Sequence, residues 1–68
     1  MALSARNQII GTVKRVKLGT VTAEVVVELK GGDEIVSVIT VGSVESLGIE
    51  AGKEVTVIIK STAVMLDA

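Results

Sequence analysis

The chain has 68 residues, a formal net charge of −1 at pH 7, and neither Cys nor His. These counts exclude a disulfide framework and a Cys/His metal site, and the balanced charge disfavours non-specific binding to nucleic acid or to anionic membranes. Hydrophobic residues make up 49% of the chain. Because a domain this short buries only about 60% of its unfolded surface, we expect the surplus apolar surface to lie between subunits.

The sequence predicts one cytoplasmic domain that spans residues 1–68. Its first residues lack the charged head and apolar stretch of a secretory signal. No apolar run approaches the roughly 18 residues that cross a membrane. No linker, repeat or low-complexity segment divides the chain, so we expect neither a second domain nor a membrane partner.

The first predicted strand covers residues 8–17 and is bent at Gly11, where two consecutive Ile residues and a Gly disturb strict alternation. Lys14, Arg15 and Lys17 form a basic cluster on this strand. The cluster has two interpretations, a second patch that attracts anions or the solvated face of a strand, and the second is favoured.

The second predicted strand covers residues 20–29, where apolar residues alternate cleanly with polar ones. Val26 interrupts the polar face of this strand. We therefore expect Val26 to be exposed, either as an interface contact or as an ordinary surface residue.

Residues 30–33 contain paired glycines and predict a hairpin loop, which leads into a third strand over residues 34–41. A short helix is predicted over residues 44–47, with Ser43 as its N-cap and Gly48 at its end. A fourth strand over residues 54–60 and a fifth over residues 63–66 complete the chain. The predicted fold is all-β, a small five-stranded OB-type Greek-key barrel with one short helix.

Two short polar segments, one near each end of the chain, predict an anion site. Ser4, Arg6 and Asn7 precede the first predicted strand, Lys60 ends the fourth, and Ser61 follows it. A tetrahedral dianion needs positive charge and many hydrogen-bond donors to replace its water. No acidic residue occurs from residue 1 to residue 23, so nothing in the first segment would repel such an anion.

Catalysis is not expected from this composition, and we predict that the protein is not an enzyme. Nucleophilic catalysis uses Ser or Cys beside a base that is usually His, and the chain has no His or Cys. Paired carboxylates would have to come from Glu24 and Glu28, which share one solvated strand face. No Gly-rich loop ends in the Lys-Ser/Thr pair of a phosphate-binding loop.

Four motifs together give the chain a resemblance to the molbindins, small Mop-type proteins of the TOBE/Mop domain family that bind molybdate and tungstate. The motifs are Ser-Ala-Arg-Asn-Gln at residues 4–8, Gly-Thr-Val-Thr-Ala-Glu-Val at residues 19–25, Ile-Thr-x-x-Ser at residues 39–43, and Lys-Ser-Thr-x-Val-Met at residues 60–65.

This resemblance implies an oxyanion site between the subunits of a homo-oligomer, commonly a hexamer built as a trimer of dimers. It implies storage of molybdate or tungstate that buffers molybdenum for cofactor synthesis. It implies no cofactor, no direct ligand for a metal cation and no nucleic-acid partner. The residues that match the family's oxyanion-binding positions are Ser4, Arg6, Thr40, Ser43, Lys60 and Ser61.

One position departs from the family pattern, because most molbindins have an acidic residue where this chain has Ala63. Two alternative functions belong to other classes: an OB-type module that binds nucleic acid, and a purely structural interaction module. Nucleic-acid binding by OB folds depends on aromatic stacking and a basic groove, and aromatic residues are 0% of this chain. The structural module explains the apolar surplus but not the grouping of Arg6, Lys60 and small hydroxyl residues.

Overall fold

Four antiparallel strands and one short helix account for most of residues 4–68, the part of the chain that this computed structural model describes. The strand order in the sheet is β3-β2-β1-β4. The predicted all-β class is therefore confirmed. The elements are β1 (Asn7–Leu18), β2 (Thr22–Leu29), β3 (Glu34–Thr40), α1 (Val41–Leu47), β4 (Glu54–Ile59) and one 3-10 turn (Ser61–Ala63).

Strand β1 is long because it pairs with two different strands along its length, first with β4 and then with β2. Its first half, from Asn7 to Thr12, pairs with β4, and its second half, from Gly11 to Leu18, pairs with β2. The register shifts between Val13 and Arg15, so Lys14 is the extra residue of a bulge. A bulge increases the local twist, and the sheet curls where β1 passes from one partner to the other.

Gly11 occupies the overlap of these two ladders, opposite Leu29 on one side and Val55 on the other. A Cβ atom at this position would lie 2.6 Å from Cγ1 of Val27 and 2.9 Å from the carbonyl oxygen of Glu28. A glycine is therefore needed because the backbone of β1 approaches β2 too closely for a side chain.

The core is built from small apolar residues, mainly Val, on the inner face of the curled sheet, with Val44 of α1 packed against it.

The prediction that Val26 is exposed is wrong, because this residue is only 2% exposed. In the central strand β2, Val26 lies directly between Arg15 of β1 and Val36 of β3, whose side chains flank it on both sides. The buried core cluster comprises Val13, Ala23, Val25, Val27 and Val44.

Helix α1 begins three residues earlier than the sequence predicted, at Val41, and its N-cap is Thr40 rather than Ser43. The Thr40 Oγ1 atom accepts a hydrogen bond from the backbone N–H of Ser43 at 3.0 Å. The predicted end at Gly48 is confirmed, with a left-handed φ of 63°. Lys53 also donates from Nζ to the carbonyl oxygen of Leu47 at 2.9 Å, which satisfies one of the last carbonyl groups of the helix.

The predicted fifth strand over residues 63–66 is not formed in the single chain. The 3-10 turn ends at Ala63, and no residue from 64 to 68 belongs to a strand. Strands β3 and β4 each pair on one side only, which leaves an apolar groove of about 210 Å³ between them. The C-terminal segment makes no ladder because it has no strand partner within residues 4–68.

No helix among the residues that the structure describes is both long and apolar enough to cross a membrane.

The close approach at Gly11 predicts that Gly11→Ala destabilises the fold. The added Cβ must displace Val27 or the backbone of Glu28, so we expect a loss of about 1–3 kcal/mol in the free energy of unfolding, measured by urea denaturation. Gly31→Ala is the matched control, because nothing lies within 4 Å of a Cβ there. Equal urea midpoints for the two variants would contradict the packing at Gly11.

Candidate functional site

The two polar segments predicted from the sequence meet at one end of the sheet. Because β1 and β4 are antiparallel and their ladder begins with Asn7 opposite Ile59, the residues before β1 lie beside those that follow β4. They form an open depression of about 200 Å³. The residues that line it are Ser4, Ala5, Lys60, Ser61 and Thr62.

Hydrogen bonds from two amide side chains shape this end of the molecule. The Nδ2 group of Asn7 donates to the carbonyl oxygen of Ile59 at 3.2 Å, and Nε2 of Gln8 donates to the carbonyl oxygen of Ala5 at 2.9 Å. After Ile59 the chain turns sharply, and the N–H of Ala63 donates to the carbonyl oxygen of Lys60 at 2.9 Å. This turn holds Lys60 and Ser61 at the rim of the depression.

The charge at the depression is positive. No acidic residue is among the five that line it. Lys60 is one of the lining residues, whereas Arg6 lies next to Ala5, is exposed and is not part of the lining. Within residues 4–68, the only cation in a salt bridge is Lys14. Arg6 and Lys60 are therefore not neutralised by a carboxylate in the described part of the chain.

Thr40 and Ser43 lie at the opposite end of β1. Thr40 pairs with Thr22, the next residue Ala23 pairs with Leu18, and Leu18 is the last residue of β1. The Thr40 hydroxyl donates to Oγ of Ser43 at 2.8 Å and accepts from the Ser43 backbone N–H at 3.0 Å, so its hydrogen is already used. The Ser43 hydroxyl accepts this bond and keeps its own hydrogen for another partner.

One chain therefore brings together only part of the predicted site. Ser4, Lys60 and Ser61 share the depression, and Arg6 adjoins it. Thr40 and Ser43 form a separate hydroxyl pair at the far end of the sheet. An anion that touches both groups requires two copies of the chain.

The basic cluster on β1 is not a free anion-attracting patch at Lys14. The Nζ atom of Lys14 donates to Oε2 of Glu34 at 2.6 Å and lies 3.8 Å from Oε2 of Glu28. The hydrogen bond from Lys14, and then its positive charge, lowers the pKa of the Glu34 carboxyl. The same hydrogen bond raises the pKa of Lys14. This geometry supports the solvated-face interpretation at Lys14.

Other parts of the described surface suit an anion or a metal poorly. A wider groove of about 550 Å³ is lined by Glu28, Glu54 and Lys30 among others, and its two carboxylates would repel an oxyanion. Among residues 4–68, no group of three or more acidic residues is placed to hold a metal ion.

Sequence reasoning missed the roles of Asn7 and Gln8. Asn7 was grouped with the ligand donors, and Gln8 was not singled out. In the structure the two side chains donate to backbone carbonyl groups rather than into the depression. No sequence signal identifies the partner of Asn7, because the bond to Ile59 depends on the register between β1 and β4.

Comparison with known proteins agrees with the motifs. The TOBE domain model matches residues 3–66, so the chain belongs to the TOBE domain family. The chain is 54% identical over 66 residues to molybdenum-pterin-binding protein 3 of Clostridium pasteurianum, with 97% of each protein covered. The resemblance to the Mop-type proteins is thereby confirmed.

Two solved structures have the same fold. MopII from Clostridium pasteurianum superposes with a TM-score of 0.92 at 52% identity, and the match covers 98% of this chain and 100% of that one. A molybdate-binding protein from Sporomusa ovata superposes with a TM-score of 0.95 at 38% identity, with both chains fully covered. The matched relatives and structures are named for binding molybdate or molybdenum-pterin, so the family is one of binding proteins.

The Lys14–Glu34 pair predicts a measurable titration. Because Lys14 lowers the folded-state pKa of Glu34, the pair contributes stability above the ordinary Glu pKa and loses it as the pH falls through the lowered value. We expect carboxyl-detected NMR to give Glu34 a pKa below the usual Glu value and Lys14→Met to raise it. Lys17→Met is the control and should leave the pKa of Glu34 unchanged. An equal response to both substitutions would contradict the pairing.

Proposed function

We propose that this protein binds molybdate reversibly, with tungstate as a near-isosteric competitor, and performs no chemistry on it. The observation that carries the proposal is the acid-free depression where the two ends of the chain meet, with Lys60 and hydroxyl groups in its lining. Relatives that are named for binding molybdate or molybdenum-pterin share its fold over nearly the whole chain.

The donors suit a tetrahedral dianion. Lys60 provides a compact ammonium group and Arg6 a planar fork of N–H donors, so two positive charges face two negative ones. Ser4 and Ser61 add hydroxyl donors with little bulk. Charge-assisted hydrogen bonds of this kind are about twice as strong as neutral ones, which offsets the loss of the anion's water.

The site is completed between subunits. Ser43 retains a hydroxyl hydrogen, but Thr40 and Ser43 lie at the other end of the sheet from Lys60. In an assembly, the hydroxyl pair of one copy lies against the depression of another and extends its set of donors. This arrangement gives roles to all six residues that match the family pattern.

The apolar surface supports a homo-oligomer. Met65 and Leu66 are 92% and 94% exposed, and the groove between β3 and β4 is lined mainly by Val, Ile and Leu side chains. Burying each large side chain contributes about 1.5–3 kcal/mol. The C-terminal segment of one copy therefore fills the groove of another, and, as in the molbindins that it resembles, the assembly is a hexamer built as a trimer of dimers.

The physiological role that fits is storage, which buffers molybdenum in the cytoplasm for cofactor synthesis. Binding without catalysis agrees with a chain that has neither His nor Cys. Nucleic-acid binding by an OB-type fold is not favoured, because the chain has no aromatic residue to stack on bases and its net charge is −1.

Binding is tested by calorimetric titration of molybdate, tungstate and sulfate into the wild-type protein and Arg6→Ala. We expect the wild type to bind the first two, and the variant to bind molybdate roughly 30-fold more weakly, because a charge-assisted hydrogen bond contributes about 2 kcal/mol. Arg15→Ala is the matched control, since it removes an exposed Arg from the second half of β1. Wild-type affinity in Arg6→Ala would remove Arg6 from the site, and no molybdate binding by the wild type would refute the function.

Assembly is tested by light scattering on Leu66→Asp. A carboxylate on the C-terminal segment cannot enter an apolar groove without a large desolvation cost. We therefore expect the particle mass of Leu66→Asp to fall below that of the wild-type oligomer. Leu66→Met keeps an apolar side chain of similar volume and should preserve the assembly. An unchanged mass for Leu66→Asp would show that the C-terminal segment does not hold the copies together.

A further inference from the structure

We infer that Asn7 is a positioning residue for the oxyanion site, a claim that rests on the proposed function. Its side chain does not contact the ligand. The Nδ2–H of Asn7 holds the segment that carries Ser4 and Arg6 against the segment that carries Lys60 and Ser61, and so fixes the distance between the two cations.

The position of the hydrogen bond supports this role. Asn7 is the first residue of β1 and Ile59 is the last of β4, and the two face each other as the terminal pair of the ladder. The Asn7 side chain donates to the carbonyl oxygen of Ile59 at 3.2 Å. Arg6 is the next residue on one side and Lys60 the next on the other. The bond therefore ties together the two points from which the cationic side chains extend.

The position of the bond at the end of a ladder gives it this role. The end of a strand ladder is where the backbone opens most easily. Arg6 and Lys60 extend from the two strand ends, and within residues 4–68 neither forms a salt bridge that would hold these ends together. The hydrogen bond from Asn7 opposes this opening, so the site is organised before the anion arrives and less free energy is spent on ordering it.

The amide group suits the task because it donates a hydrogen bond without adding charge. A carboxylate at this position would repel both the Ile59 carbonyl group and the anion. Gln8 differs, because its side chain donates to Ala5 within the same segment and does not reach β4. Asn7 alone of these two joins the halves of the site.

The test compares Asn7→Leu with Thr12→Val, a polar-to-apolar change at the other end of the same ladder, opposite Glu54 and outside the proposed subunit interface. Loss of one such hydrogen bond shifts an equilibrium by about fivefold. We expect Asn7→Leu to bind molybdate about fivefold more weakly than the wild-type protein in calorimetry, and Thr12→Val to bind as the wild type does. In ligand-free protein, we expect faster amide hydrogen exchange at Ala63 and Val64, which are bonded within the turn after Ile59.

A double-mutant cycle separates positioning from general destabilisation. If Asn7 acts by placing Arg6, then Asn7→Leu should weaken binding less than about twofold in an Arg6→Ala background, because the cation to be placed is gone. A residue that merely stabilises the fold would cause the same loss of about fivefold in both backgrounds. If Asn7→Leu does not fold, Asn7→Ala carries the same expectations.

The outcomes distinguish this inference from the proposed function. Wild-type binding together with unchanged affinity and exchange in Asn7→Leu overturns the positioning role and leaves molybdate binding in place. No molybdate binding by the wild type overturns the function and the positioning role together, and faster exchange in the variant then marks Asn7 as a structural tie only. Weaker binding, faster exchange and a reduced effect in the Arg6→Ala background support the inference.

Discussion

The antiparallel pairing of β1 with β4 is the interaction on which the rest of this structure depends. It begins with Asn7 opposite Ile59 and brings two segments that are more than fifty residues apart in sequence to one end of the sheet. The depression, its cations and its hydroxyl groups all follow from that pairing. Because β1 then continues past Gly11 to pair with β2, the same strand also connects this end of the molecule to the core.

A single copy of this short chain leaves two features incomplete, its apolar core and its proposed anion site. Its curled four-stranded sheet is open between β3 and β4, with apolar side chains in the groove and on the C-terminal segment. Its hydroxyl pair at Thr40 and Ser43 lies far from its cations at Arg6 and Lys60. The proposed homo-oligomer would supply both, with the C-terminal segment of one copy in the groove of another and the hydroxyl pair of one copy against the depression of another. A ligand that binds only this assembled form would stabilise it by mass action, by about 3 kcal/mol at a hundredfold excess over the dissociation constant.

Sequence patterns predicted the parts of this molecule that depend on local physics. Alternation located β2, and the glycine at position 48 located the end of α1. The patterns failed where neighbours in space decide the outcome. Val26 is buried between two adjacent strands. Helix α1 begins at Val41 because the Thr40 side chain caps it. Residues 63–66 form no strand, since they have no strand partner within residues 4–68. The motifs name the basic and hydroxyl residues of the proposed site. Their division between two ends of the sheet, and the bond from Asn7 to Ile59, depend on the register of strands and could not be predicted.

The most direct test of this account is the location of bound molybdenum by anomalous diffraction from crystals grown with molybdate. We expect a peak within hydrogen-bonding distance of the depression formed by Ser4, Lys60 and Ser61 of one copy, with Arg6 turned toward it and a neighbouring copy beside it. A peak in the acidic groove near Glu28 and Glu54, or no peak in crystals of a protein that binds molybdate in solution, would contradict it.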